Sequence, residues 1–117
     1  AATILAKTLT GIDIQKMVPK IERIAHRLLR KEERDALRPH TRLEHLHVYW
    51  GAKEALYKAY GRRELDFCAN ILIEPFQFDL DNGYCAGQVI KGDIHLHFQL
   101  HYQQLEDFIL VYALENN

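Results

Sequence analysis

Cysteine is scarce in this chain: Cys68 and Cys85 are the two in 117 residues. So few thiols, so far apart, supply neither a disulfide framework nor the paired spacing of a zinc ribbon, and a reduced, cytoplasmic setting is expected. Charge of one sign is also lacking. The 15 Lys and Arg against 16 Asp and Glu leave a net charge of −1, which argues against nucleic-acid binding by bulk electrostatics. No apolar run approaches the ~20 residues of a membrane span, and no signal peptide is visible. Repeats, low-complexity tracts and linkers are absent too, so one domain over residues 1–117 is expected. A domain of this length buries about two-thirds of its unfolded surface, enough for a core without staples. There is no initiator Met. The chain opens on the strand-like Ala1-Ala2-Thr3-Ile4-Leu5-Ala6 instead of a polar, frayed terminus, which predicts the C-terminal part of a longer protein.

What is present reads as α+β. Residues 2–7 and 10–15 are expected as two short strands, with Gly11 allowing close backbone approach. Pro19 suits a first helical turn, and Ile21, Ile24, Ala25, Leu28 and Leu29 recur at helical spacing over 20–30. The run Lys31 to Leu37 predicts a short charged helix or turn with a solvated face. Thr41 with Glu44 three residues on forms a capping box, and Gly61 supplies a left-handed stop, so the longest helix is expected over 41–60. From Ile71 the period changes to two, predicting strands near 71–80, 84–91, 93–103 and 107–114, with Asp81-Asn82-Gly83 as a tight turn. In the third of these, Ile94, Leu96, Phe98, Leu100 and Tyr102 face the core, and His95, His97, Gln99 and His101 face water. The expected fold is an antiparallel sheet with a long helix packed on it.

Chemistry concentrates on that helix. At 100° per residue His47, Gly51, Glu54 and Lys58 share one stripe, where a ligand could come close at Gly51; Lys53 reaches it only from the side. Taken alone, Glu54 and Lys58 are also an ordinary surface pair. In the early strand Asp13 stands between Ile12 and Ile14, on the face shared with Gln15. A carboxylate there needs a partner if buried, and a metal ion is one; an edge-strand charge is the plainer reading. His95, His97 and His101 offer a second metal-binding arrangement, although an alternating polar face more often means solvent. Trp50 reads as core packing, and the two cysteines as small buried hydrophobes.

Gly11-Ile12-Asp13, followed by a helix and Trp50-x-x-Lys53-Glu54-Ala55-x-x-Lys58, resembles the two-part signature of the 4′-phosphopantetheinyl transferase superfamily. The intervening Arg30-Lys31-Glu32-Glu33 run is similar as well. The resemblance covers Gly11 to Gly61, and its second motif is the specific one. It implies magnesium-dependent transfer of the phosphopantetheine arm of coenzyme A to a serine of an acyl or peptidyl carrier protein. By motif position, Asp13 and Glu54 would bind Mg²⁺, and Lys58 with Lys53 would neutralise the diphosphate. Glu54, directly or through a metal-bound water, is the candidate base.

Two departures stand out. Gln15 occupies a position where larger family members often carry Glu, so it would ligate weakly or through water. The Ser-His-Ser type triplet that helps hold the coenzyme 3′-phosphate is absent. The chain therefore resembles the C-terminal half of a two-halved, surfactin-type enzyme more than a small holo-acyl-carrier-protein synthase. Such a half is expected to self-associate, or to pair with an N-terminal half, through apolar surface on the first strands and the long helix. The alternatives are a catalytically silent interaction module and a histidine-based metal module.

Overall fold

The alternation that marks residues 94–102 does sort the side chains. In the computed structural model, which describes residues 7–61 and 64–116, Phe98, Leu100 and Tyr102 are buried while His95 and His97 are exposed. These residues belong to β4 (Ile94–Leu105), the middle of a five-stranded sheet with β1 (Lys7–Lys16), β2 (Ile71–Ile73), β3 (Tyr84–Lys91) and β5 (Phe108–Asn116). The order is β1-β5-β4-β3-β2, every pair antiparallel, so the first described strand lies beside the last. The α+β class and the long helix on the sheet are as expected.

Several boundaries differ. β1 runs through Thr8 and Leu9 without a break, its register shifted between Leu9 and Gly11; the expected strand over 2–7 falls almost wholly outside the described residues. The helix expected over 20–30 is broken at Ile24 into a 3₁₀ turn, Pro19–Arg23, and α1, Ala25–Leu28. The charged run forms α2, Lys31–Asp35. The long helix α3, Arg42–Tyr60, follows a 3₁₀ turn at Pro39–Thr41, and the Thr41 side chain makes no capping bond. Gly61 does stop α3 in the left-handed region, at φ 72°. The strand expected over 71–80 ends at Ile73. Beyond it Pro75 lacks a ladder donor, and Phe76 and Phe78 pack on the Tyr102 ring at 5.6 and 5.7 Å instead of pairing.

The core lies between the sheet and α3, where Leu46, Val48, Tyr49, Ala52, Ala55 and Leu56 meet Val89, Leu100, Val111 and Ala113. Among the described residues no helix is long and apolar enough to cross a membrane.

One polar side chain inside this core sets an acid limit. His45 is 1% exposed, stacked on Tyr49 at 4.9 Å, and neither ring nitrogen has a hydrogen-bond partner among the described residues. Burial pushes its pKa down to about 4, whereas the unfolded chain takes up the proton near the ordinary value of about 6.5. This contribution to stability is therefore complete above the higher value and lost as pH falls toward the lower one. Between pH 7 and pH 5 the loss is about 2 kcal/mol. Urea unfolding at the two pH values should show it, and His45→Phe should flatten the dependence; an unchanged slope in that variant would assign the acid sensitivity elsewhere.

Candidate functional site

The site is built where β1 crosses α3, and a glycine makes the crossing close. A Cβ on Gly11 would stand 2.1 Å from the carbonyl oxygen of Ala55, so a side chain here would push the strand off the helix. Two residues on, by strand alternation, Asp13 points the same way and is 8% exposed, while Ile12 and Ile14 point out to the open face. An edge-strand carboxylate is thus delivered beneath the helix, not into solvent.

There it meets two residues from the last turns of α3. Lys58 Nζ donates to Asp13 Oδ1 at 3.0 Å and to the Ile12 carbonyl oxygen at 3.2 Å. Asp13 Oδ2 is buried and has no partner among the described residues. Glu54, half-buried one turn earlier, makes no hydrogen bond or ion pair with them. Burial raises its pKa above the ordinary glutamate value, the Asp13 charge adds to the rise, and Lys58 opposes it. The structure therefore brings together Asp13, Glu54 and Lys58. Gln15 follows Asp13 on the same strand face and lines a neighbouring groove with Trp50.

Three residues expected near a ligand are elsewhere. Gly51 does not open the helix to a ligand: a Cβ there would meet Val111 Cγ2 at 2.8 Å, so its small size admits β5. His47 is buried. Its Nδ1 lies 2.8 Å from the Leu43 carbonyl oxygen, and its Nε2 accepts from the Val18 backbone N–H at 3.1 Å, which fixes a neutral tautomer and ties α3 to the end of β1. Lys53 is fully buried and its ammonium faces away from the cleft. It pairs with Glu33 Oε1 at 2.8 Å and donates to the carbonyl oxygens of Leu28 and Phe67 at 2.9 and 2.8 Å. Burial lowers the Lys53 pKa and Glu33 raises it in part.

Lys31, Glu32, Arg34 and Asp35 are exposed, as the solvated reading of the charged run expects, and Glu33 is the exception. Its carboxylate is 1% exposed and also accepts from the backbone N–H groups of Arg30 and Ile73, each at 2.8 Å. A carboxylate followed twenty residues later by a buried Lys carries no periodic signal; the neighbourhood of the family motif was the available hint.

Trp50 is half-buried and separates two grooves, each of about 300 Å³, one lined by Gln15, Ile21, Ile24 and His47 with Lys16, Lys20 and Arg23, the other by Arg27, Leu28, Glu54 and Phe67. It packs 6.2 Å from the Phe67 ring, so it joins the core edge and shapes the site at once. Cys85 is buried, its pKa pushed up to about 12, while Cys68 is only partly covered. Neither is disposed as a nucleophile. On the open face the rings of His95 and His97 lie 4.5 Å apart. Among the described residues no group of three or more His, Cys, Asp or Glu is placed to hold a metal, which leaves the histidine-based metal module without support.

A family model for the 4′-phosphopantetheinyl transferase superfamily matches residues 10–113 of the chain. The crystal structure of holo-[acyl-carrier-protein] synthase from Neisseria meningitidis superposes with a TM-score of 0.61 over 94% of this chain and 100% of that one, at 21% sequence identity. No curated protein sequence matches. The chain belongs to the 4′-phosphopantetheinyl transferase superfamily, and it is a transferase of that class.

Proposed function

We propose that this chain transfers the 4′-phosphopantetheine group of coenzyme A to a serine of an acyl or peptidyl carrier protein, with Mg²⁺ bound by Asp13 and Glu54. The observation that carries this reading is the junction of β1 and α3, where a buried Asp13 oxygen has no partner among the described residues and the Glu54 carboxylate lies within electrostatic reach. Hard oxygen donors of this kind suit Mg²⁺, which takes one or two carboxylates and completes its shell with waters and phosphate oxygens. Bound there, the metal would supply charge for the diphosphate as it accumulates negative charge.

The chain's own residues do the rest. Lys58, half-exposed beside Asp13, is within reach of an anion bound at the carboxylates. Gln15 supports the site from the strand, through oxygen or a water. The serine oxygen forms a new bond to phosphorus, the bond from that phosphorus to the bridging oxygen of the diphosphate breaks, and 3′,5′-ADP leaves. Glu54, half-buried one turn before Lys58, takes the serine proton directly or through a water. Lys53 has no part in ligand contact in this reading, because its ammonium is committed inside the protein.

The basic rim of Lys16, Lys20 and Arg23 around the Gln15 groove suits an anionic partner such as a carrier protein or the coenzyme phosphates. The apolar side chains Leu9, Ile12, Ile14 and Phe108 stand exposed on β1 and β5, which favours pairing with a second copy or with an N-terminal half; the long helix contributes no such patch. Free Cys68 and Cys85 fit a reducing, cytoplasmic setting.

Intact-mass spectrometry of an apo carrier protein incubated with the chain, coenzyme A and Mg²⁺ tests this directly. The carrier should gain one phosphopantetheine, and the gain should vanish with Glu54→Ala and with EDTA. A gain that persists in both controls would refute the metal-centred reading.

A further inference from the structure

Lys58 already engages the Asp13 carboxylate to which the metal ion is assigned. Its ammonium reaches over the carboxylate from the surface, with its side chain 52% exposed against 9% for that of Asp13. It engages Oδ1, so Asp13 has one oxygen held by a cation and one buried oxygen with no partner among the described residues. Glu54, one helical turn before Lys58, brings a second carboxylate to the site. Two carboxylates and one ammonium make a site of net charge −1 without its metal. A divalent ion added with Lys58 in place would put two cations on one carboxylate, in a partly desolvated pocket where their repulsion is poorly screened.

We infer that Lys58 is a resident counter-ion that competes with the divalent metal for Asp13 and is handed over to the anionic substrate once the metal is in place. This rests on the assignment of Mg²⁺ to Asp13 and Glu54. The lysine is suited to the exchange: a compact charge on a flexible four-carbon stem, half in solvent, held by two hydrogen bonds at 3.0 and 3.2 Å. Metal binding releases it, and the released ammonium is then free for the diphosphate. Binding is therefore ordered, metal before coenzyme, and one lysine serves two states of the site.

The consequence is opposite in sign to that of a lysine that merely supports the site. Mg²⁺ affinity should be measured without coenzyme by competition against Mn²⁺, whose free concentration is read by electron paramagnetic resonance. Lys58→Met should bind the metal roughly two- to fivefold more tightly than wild type, the scale of a lost ion pair of this exposure. Its transfer rate should nevertheless fall. Lys58→Arg should bind the metal as wild type does. Equal or weaker metal binding by Lys58→Met overturns the hand-over while leaving the metal assignment standing. Metal binding by Asp13→Asn that equals wild type, or none by wild type, overturns the assignment and the hand-over with it.

Discussion

Lys53→Met is expected to lower the free energy of unfolding by about 3–5 kcal/mol, because it strands a buried carboxylate. The cause lies in how completely the pair is satisfied. Each of the three Lys53 hydrogens has an acceptor, in Glu33, Leu28 and Phe67, and Glu33 in turn holds the backbone of Arg30 and Ile73. The pair thus fastens α1, α2, the segment at Phe67 and β2 to the face of α3 opposite the sheet-bound glycine. Removing the ammonium leaves Glu33, 1% exposed, to ionise without compensation or to take up a proton. Lys53→Met/Glu33→Gln should be less destabilised than Lys53→Met alone, since no uncompensated charge remains and the glutamine can still accept from a backbone N–H. Chemical denaturation of the three proteins measures this. A loss below about 1 kcal/mol in Lys53→Met would show that the pair contributes little and that its desolvation offsets its attraction.

The same residue shows where reading a sequence succeeds and where it stops. Helical periodicity gives relative azimuths along α3 correctly, and it separates Lys53 from the stripe of Glu54 and Lys58. It cannot say which neighbour each azimuth faces. Gly51 and His47 belong to that stripe, yet the strand of Val111 covers one and the backbone of Val18 engages the other. Alternation works well in β4, where strict period two meets one buried and one wet face. It misleads at 71–80, where Phe76 and Phe78 keep the period while packing their rings on Tyr102 away from any ladder. Asp13, Glu54 and Lys58 were legible as a set because two motifs, weak apart, point to one site. Glu33 was not, because its burial depends on a contact across twenty residues that no local pattern announces.

Asp13→Asn should cut kcat/KM for carrier modification by on the order of 10²–10³, comparable to removing one preorganised charge-stabilising group from an active site, with the fold retained. The amide keeps the shape and a hydrogen-bond acceptor for Lys58 but gives up the charge that attracts a divalent ion. A second effect moves the other way and makes the result interpretable. The Asp13 charge is one of two causes that hold the Glu54 pKa above the ordinary value, burial being the larger. In metal-free Asp13→Asn the Glu54 carboxyl should titrate at lower pH than in wild type, observable by carbon-detected NMR. Glu54 is then ionised over a wider pH range, so the variant does not lose this carboxylate to protonation. Lost transfer alongside a more ionised Glu54 assigns the loss to Asp13 as a ligand, whereas transfer at the wild-type rate would remove Asp13 from the chemistry and leave it a buried partner for Lys58.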